Sequence, residues 1–263
     1  MNNSSAIALS IIQPWVVATI CAALMIISWL IAYTLGRKQR SIEGRESGTA
    51  LIDEACLAIL GLLLAFTFAA AYSKFDNRNA KVAEDASALR TLYYRCDLLP
   101  EPWHRELMPL VQESIKLRLL VIQPGFKITD APILNAKGLA TETELMKIIK
   151  RMNQDKDASS LSGPIADAAY AVAASHESRL AAGMDHVPMP VVALLILVSA
   201  ISAFLLGRSQ AIAGRVRRTT ITLIVMVTAI IYVTLDLESP LSGFIKTNQA
   251  PILRLAENVG ITP

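Results

Sequence analysis

The chain has 263 residues, a net charge of +3 from 25 basic and 22 acidic side chains, and a hydrophobic fraction of 53%. A charge so near balance leaves no electrostatic footprint for nucleic acid, and three cysteines are too few for a disulfide framework. The apolar residues gather in four runs, roughly 11–36, 55–72, 188–207 and 219–235, two on either side of a charged stretch near 73–187. A bilayer core about 30 Å thick needs about 20 apolar residues in a spanning helix. The first run has no charge from Met1 to Gly36 and the third none from Val187 to Gly207. The second and fourth are near the short limit. These runs predict an all-α integral membrane protein with four transmembrane helices and an antiparallel helical insert between spans two and three.

In chain order, the first run is expected to be an anchor and not a cleaved leader. Its flank MNNSSAIALS lacks Lys and Arg, and the basic cluster Arg37, Lys38, Arg40 follows it. The second run starts after Asp53 and Glu54, which suit a helix amino terminus through the backbone dipole. No Pro or Gly interrupts the chain from there beyond Gly61 until Pro100, so one helix is predicted from Ala55 to Leu98. Only part of it fits in lipid. Phe75, Val82, Ala86, Leu89, Tyr93 and Cys96, with Asn79 filling one place, mark a heptad seam on the rest. Past Pro100 and Pro102, the residues Trp103, Leu107, Leu110, Ser114, Leu117 and Val121 predict a second insert helix, ended by the turn Pro124-Gly125. A loop is expected to Gly138. Thr141 with Glu144 then reads as a capping box, opening a helix whose stripe is Leu145, Ile148, Ile149 and Met152. A fourth helix follows from Pro164 to Ala182, with Gly183 as its stop.

The resulting domains are 1–72, spans one and two; 73–187, the extramembrane helical domain continuing from the second helix; 188–238, spans three and four; and 239–263, an amphipathic carboxyl-terminal tail. The tail either lies on the membrane surface or packs against the long helix. The loop after span one carries Arg37, Lys38, Arg40 and Arg45 against Glu43 and Glu46. The loop after span three carries Arg208, Arg215, Arg217 and Arg218 and no acid. Loops 37–52 and 208–218 are therefore expected in the cytoplasm, with the insert and both termini outside a bacterial inner membrane.

Gly61, Ala65 and Ala69 form a small-residue ridge on span two, and Ser199, Ala203 and Gly207 another on span three. Such ridges allow close helix packing in lipid; facing a central pore is the other reading. Leu64, Phe68, Tyr72 and Phe75 share a stripe of the long helix. Around an axis such side chains make a dewetting gate; within one protomer they pack against span three or four. Asp236 and Glu238 end span four, as interfacial anchors or local structural partners, with an ion-contact role also open. Cys21 and Cys56 fall in apolar runs and Cys96 is alone in the insert. His104, His176 and His186 are far apart in sequence. There is no HExxH, paired CxxC or phosphate loop, and GRSQA at 207–211 lacks the last glycine of a nucleophile elbow. No enzyme activity, metal or cofactor is expected.

Three segments carry a family resemblance. LGLLLAFTFAAAYSKFDNRNAKVAEDASALRTLYYRCDLLPEP, Leu60 to Pro102, resembles the second-span signature of the bacterial bestrophin-like membrane proteins. Phe75, Asp76, Arg78, Glu84, Tyr93, Arg95, Asp97, Leu98, Leu99 and Pro100 are its matching features. HVPMPVVALLILVSAISAFLLG is similar to the family's third span. DLESPLSGFIKTNQAPILRL, with Asp236, Pro240, Gly243, Gln249 and Pro251, is similar to its final motif. The resemblance implies a homo-oligomer, pentameric by analogy, embedded in the lipid bilayer and conducting small anions. Its pore would be lined by the second span, with Phe66, Phe68 and Tyr72 as neck candidates. It also implies a cytoplasmic insert, opposite to the basic-residue count. No acidic cluster corresponds to the calcium clasp of animal bestrophins. The competing class is a non-conducting sensor or scaffold whose insert binds a partner or ligand.

Overall fold

The longest helix follows the absence of breakers, whereas Pro109 and Pro164 lie inside two shorter ones. The computed structural model describes residues 13–40, 50–123, 126, 128–214, 218–239 and 243–261. Among them the regular elements are α1 (Pro14–Arg40), α2 (Ala50–Asp97), α3 (Trp103–Leu120), a 3-10 turn (Ile128–Asp130), α4 (Ala131–Gln154), α5 (Ser159–Met184), α6 (Met189–Ala213), α7 (Arg218–Leu237) and α8 (Ala250–Asn258). The expectations placed on Glu43, Arg45, Glu46, Pro124, Gly125, Arg215, Arg217 and Pro240 lie outside the described residues. Among the described residues the chain is all-α, with four helices long and apolar enough to cross a membrane. They are α1, the first part of α2, α6 and α7. The apolar stretch that includes α6 reaches back to Ser159, but the loop at Asp185 separates the charged α5 from α6, which is uncharged up to Gly207.

α2 runs unbroken for 48 residues, about 72 Å at about 1.5 Å per residue. It contributes to both of the compact units into which the chain divides, Met1–Asp76 with Met184–Lys246 and Asn77–Gly183 with Thr247–Pro263. In the first unit the core joins Cys21 and Met25 of α1, Leu60 and Leu64 of α2, Leu195 and Ala203 of α6, and Val227 and Ile231 of α7. Lipid supplies no hydrophobic drive between helices, so this core depends on close packing. α1 and α6 meet through glycines. A Cβ on Gly207 would collide with the carbonyl of Trp29, and one on Gly36 would come within 2.7 Å of Ala211 Cβ. α6 ends on Gly214 at φ 69°, the left-handed conformation open to glycine.

The second unit is a helical bundle with an aqueous-type core. Leu89, Leu92 and Cys96 of α2 pack with Leu107, Val111 and Ile115 of α3, Ile149 and Met152 of α4, Val172 of α5, and Ile252 and Leu255 of α8. Burying a side chain of leucine size contributes about 1.5–3 kcal/mol, so the apolar face of α8 has a clear reason to settle here. The tail is thereby part of this core. Sequence expectations at two helix ends are corrected. Gly183, expected as the stop of a Pro164–Ala182 helix, lies inside α5, which runs from Ser159 to Met184. It takes no left-handed φ, and Pro188 precedes the next helix instead. The loop foreseen up to Gly138 is already helix from Ala131, with Pro132 in the first turn, where the proline ring suits the helix and no N–H is needed. Thr141 is consequently inside α4 and its hydroxyl donates to Lys137 O at 3.0 Å instead of capping.

Candidate functional site

The membrane part of α2 has two unlike sides. Leu60, Leu64, Thr67 and Ala71 recur at helical spacing and are buried in the first unit. Leu64, expected on the gate stripe, is therefore turned into the core at 6% exposure. Around the rest of the helix Gly61, Leu62, Ala65, Phe66, Phe68, Ala69, Tyr72, Ser73 and Asp76 are exposed. A Cβ on Gly61 would meet nothing within 4 Å. The two small-residue ridges thus have different fates. Ser199, Ala203 and Gly207 are buried between spans, whereas Gly61, Ala65 and Ala69 are left uncovered by the protomer.

This uncovered side differs in composition from the other spans. α1 exposes Ile20, Leu24, Ile27, Ile31 and Leu35, and α7 exposes Ile221, Val225 and Met226, which are lipid-type side chains. α2 exposes Ile59 and Leu62 as well, but adds a glycine, alanines, a serine and aromatics. Phe68 and Tyr72 stack with ring centroids 6.5 Å apart at 20°. Phe66 and Phe68, two residues apart, lie about 160° apart around the helix. A single axis therefore cannot face both. Ala65, Ala69, Tyr72 and Asp76 fall in the middle of the uncovered side, with Phe68 and the half-buried Phe75 at one edge and Phe66 towards the other.

The motif residues further along act as structural ties. In the first unit Asp236 is 2% exposed, and its two carboxylate oxygens accept the backbone N–H groups of Phe244 at 2.9 Å and Ile245 at 2.7 Å. Gly243 fits this turn because a Cβ would lie 2.8 Å from the Asp236 carbonyl. Glu238 accepts the N–H of Val187 at 2.8 Å. In the second unit the buried Arg78 donates from Nε to Ala182 O at 3.1 Å. The Arg95 guanidinium donates to Pro164 O. Glu84 pairs with Lys81 at 2.6 Å on the surface. Tyr93 meets Tyr94 edge to face at 5.7 Å. Asp97 closes α2, and Pro100 O accepts the N–H of His104 at 3.2 Å. Gln249 accepts from Arg179 Nη2 at 3.2 Å, one residue before α8, and Pro251 lies in the first turn of that helix.

Sequence reading passed over Asp85 and Arg118, both charged and nearly fully buried in the second unit. A signal existed. Asp85 falls between Val82 and Leu89 on the apolar stripe of α2, and Arg118 between Ile115 and Leu119 in α3. Among the described residues no group of three or more His, Cys, Asp or Glu side chains could hold a metal ion.

A four-span helical membrane protein with one long helix uncovered along its membrane part is the class that these features define. The chain belongs to the bestrophin-like family: the Bestrophin-like domain matches residues 18–252. Two solved structures of a bacterial bestrophin homologue from Klebsiella pneumoniae, both single-residue variants, share the fold at 17% identity. One gives a TM-score of 0.64 over 91% of this chain and 96% of that one. The other gives 0.62 over 94% and 97%. No curated protein sequence matches.

Proposed function

We propose that the chain is one subunit of a homo-oligomeric channel for small anions in a bacterial inner membrane, with the pore lined by the membrane part of α2. The supporting observation is the composition of the side of α2 that the protomer leaves uncovered. Small residues at Gly61, Ala65 and Ala69 suit neighbouring copies or a water-filled axis better than lipid tails, and membership of a family with bestrophin relatives agrees with a pore. Tyr72, backed by its stack on Phe68, is the proposed constriction. A ring of such side chains closes a narrow pore by excluding water and opens when they turn aside. Phe66 and Phe75 then serve contacts between copies or with lipid, and Leu64 is a packing residue.

The test is ion flux through the purified protein in liposomes, comparing chloride with potassium. Chloride flux that rises severalfold in Tyr72→Ala and in Phe68→Ala, at unchanged thermal midpoint, is the expected result. Flux unaltered in both folded variants removes the aromatic constriction. No flux from a folded, inserted oligomer removes the channel and leaves the non-conducting scaffold, with the helical insert as its binding part.

A further inference from the structure

The bundle of the second unit encloses a group of charges that the pore does not use. Asp85 of α2 is fully buried; its Oδ2 accepts from Arg179 Nη1 at 2.9 Å and its Oδ1 from Ser175 Oγ at 3.4 Å. Arg118 of α3 is 3% exposed. Its Nε stands 3.5 Å from Asp85 Oδ2, and its Nη2 stands 3.9 Å from Glu142 Oε1 of α4. Neither nitrogen makes a hydrogen bond, and neither does Glu142 Oε1 or the buried His176 Nδ1 of α5. The arginine is thus held between two carboxylates on different helices without being committed to either. His176 follows Ser175 and lies one turn before Arg179 on α5, and both of these bond Asp85. The charges that act on its ring are Arg118, Asp85 and Arg179; Glu142 of α4 faces the same Arg118. The segment before α8 adds the uncharged Gln249 through Arg179.

With a neutral imidazole, two guanidinium and two carboxylate charges cancel. A proton on His176 adds a third cation beside two buried guanidinium groups, with the nearest carboxylate, Asp85, already bonded to Arg179 and Ser175, and an unpaired buried charge is strongly unfavourable. We propose that His176, beside the linked charges of Asp85, Arg118 and Arg179, is an acid-operated release for this bundle, its protonation loosening the Asn77–Asp97 part of α2 from α3, α4 and α5. The junction is a regulatory device distinct from the pore, and it stands whether or not the chain conducts.

The sign follows from where the proton is bound. Burial, then the charge of Arg118 and to a lesser degree Arg179, push the His176 imidazole down to about 4, with Asp85 opposing. In an opened bundle it titrates near its ordinary value of about 6.5. The stability it contributes is complete above about pH 6.5 and is lost as pH falls towards about 4. For His176 alone, the open population rises roughly thirtyfold between about pH 7.5 and about pH 5. Glu142 works the other way. Burial raises its carboxyl, against the pull of Arg118, so the closed bundle takes up that proton first and acid favours closure.

Hydrogen exchange of the full chain in nanodiscs, corrected for the intrinsic rate at each pH, separates the two groups. In the native protein the opening of residues 82–92 and 172–179 is expected to rise by roughly ten- to thirtyfold on acidification over that range. His176→Gln flattens the response and Glu142→Gln steepens it. An equal acid response in His176→Gln, or none in the native protein, overturns the proposal. Should either variant fail to fold, the native imidazole decides. The His176 ring is followed by NMR, assigned by its loss in His176→Gln or by its neighbours, and is expected to titrate at about 4. Titration of His176 near about 6.5 overturns the proposal.

Discussion

Asp236 shows how a family motif can be structural. A carboxylate near the end of a spanning helix reads from sequence as an anchor, a local partner or an ion contact. The hydrogen bonds describe a local partner, with two backbone N–H groups bound by two oxygens of one side chain. An amide in its place turns one NH2 towards an N–H and leaves a buried donor unpaired, at a cost of about 1–3 kcal/mol. Asp236→Asn is therefore expected to lower the thermal midpoint of the solubilised protein by several degrees. Gly243→Ala acts on the same turn, since its Cβ would lie 2.9 Å from the Ser239 carbonyl as well. Two lesions in one turn are not independent, so the double variant should fall by less than the sum. A fully additive double variant would show that the two residues do not share this turn energetically.

At the scale of elements, the two small-residue ridges carry the same sequence spacing and opposite environments. Gly207→Ala must push α1 away from α6, because the added carbon meets the Trp29 backbone and, at 3.1 Å, Ala32 Cβ. Overpacking of this kind costs about 1–3 kcal/mol. Gly61→Ala meets nothing within the protomer. The expected outcome is a lower yield of monodisperse protein and a lower thermal midpoint for Gly207→Ala alone. For Gly61→Ala the protomer folds normally, and a change is expected only in cross-linked oligomer or in flux. Equal damage from both would contradict the environments described here. Spacing could not distinguish the ridges, because a spanning helix is apolar on every side and its inward side is chosen by neighbours remote in sequence. The long α2 was legible, because nothing between Gly61 and Pro100 can break it. The start of α4 was not, because Pro132 signals a break and a helix first turn equally well. The buried charges were missed because the apolar stripes of α2 and α3 were followed by their hydrophobic members, past Asp85 and Arg118.

For the whole molecule, the decisive constraint on orientation is that Thr247–Pro263 folds into the same unit as Asn77–Gly183. Ile252 and Leu255 of α8 are in the core with Leu107 and Val111, so the insert and the carboxyl terminus must occupy one side of the membrane. Four spans satisfy this. Which side is a separate matter, on which two physical arguments disagree. Short connections rich in Lys and Arg stay in the cytoplasm, and the stretch from Arg208, near the end of α6, to Arg218, at the start of α7, has four arginines and no acid. The insert, being long and near charge balance, has little say in the same rule, which leaves it outside. The resemblance to bestrophins implies the reverse. Reporter fusions after Asp130 and after Pro263 test both arguments together. They are expected to agree with each other, and by the basic-residue count both report the exterior. Opposite answers would contradict the shared core. Two cytoplasmic answers would leave the core intact, overturn the charge count and place the His176 junction at cytoplasmic pH, where its trigger would be acidification within the cell.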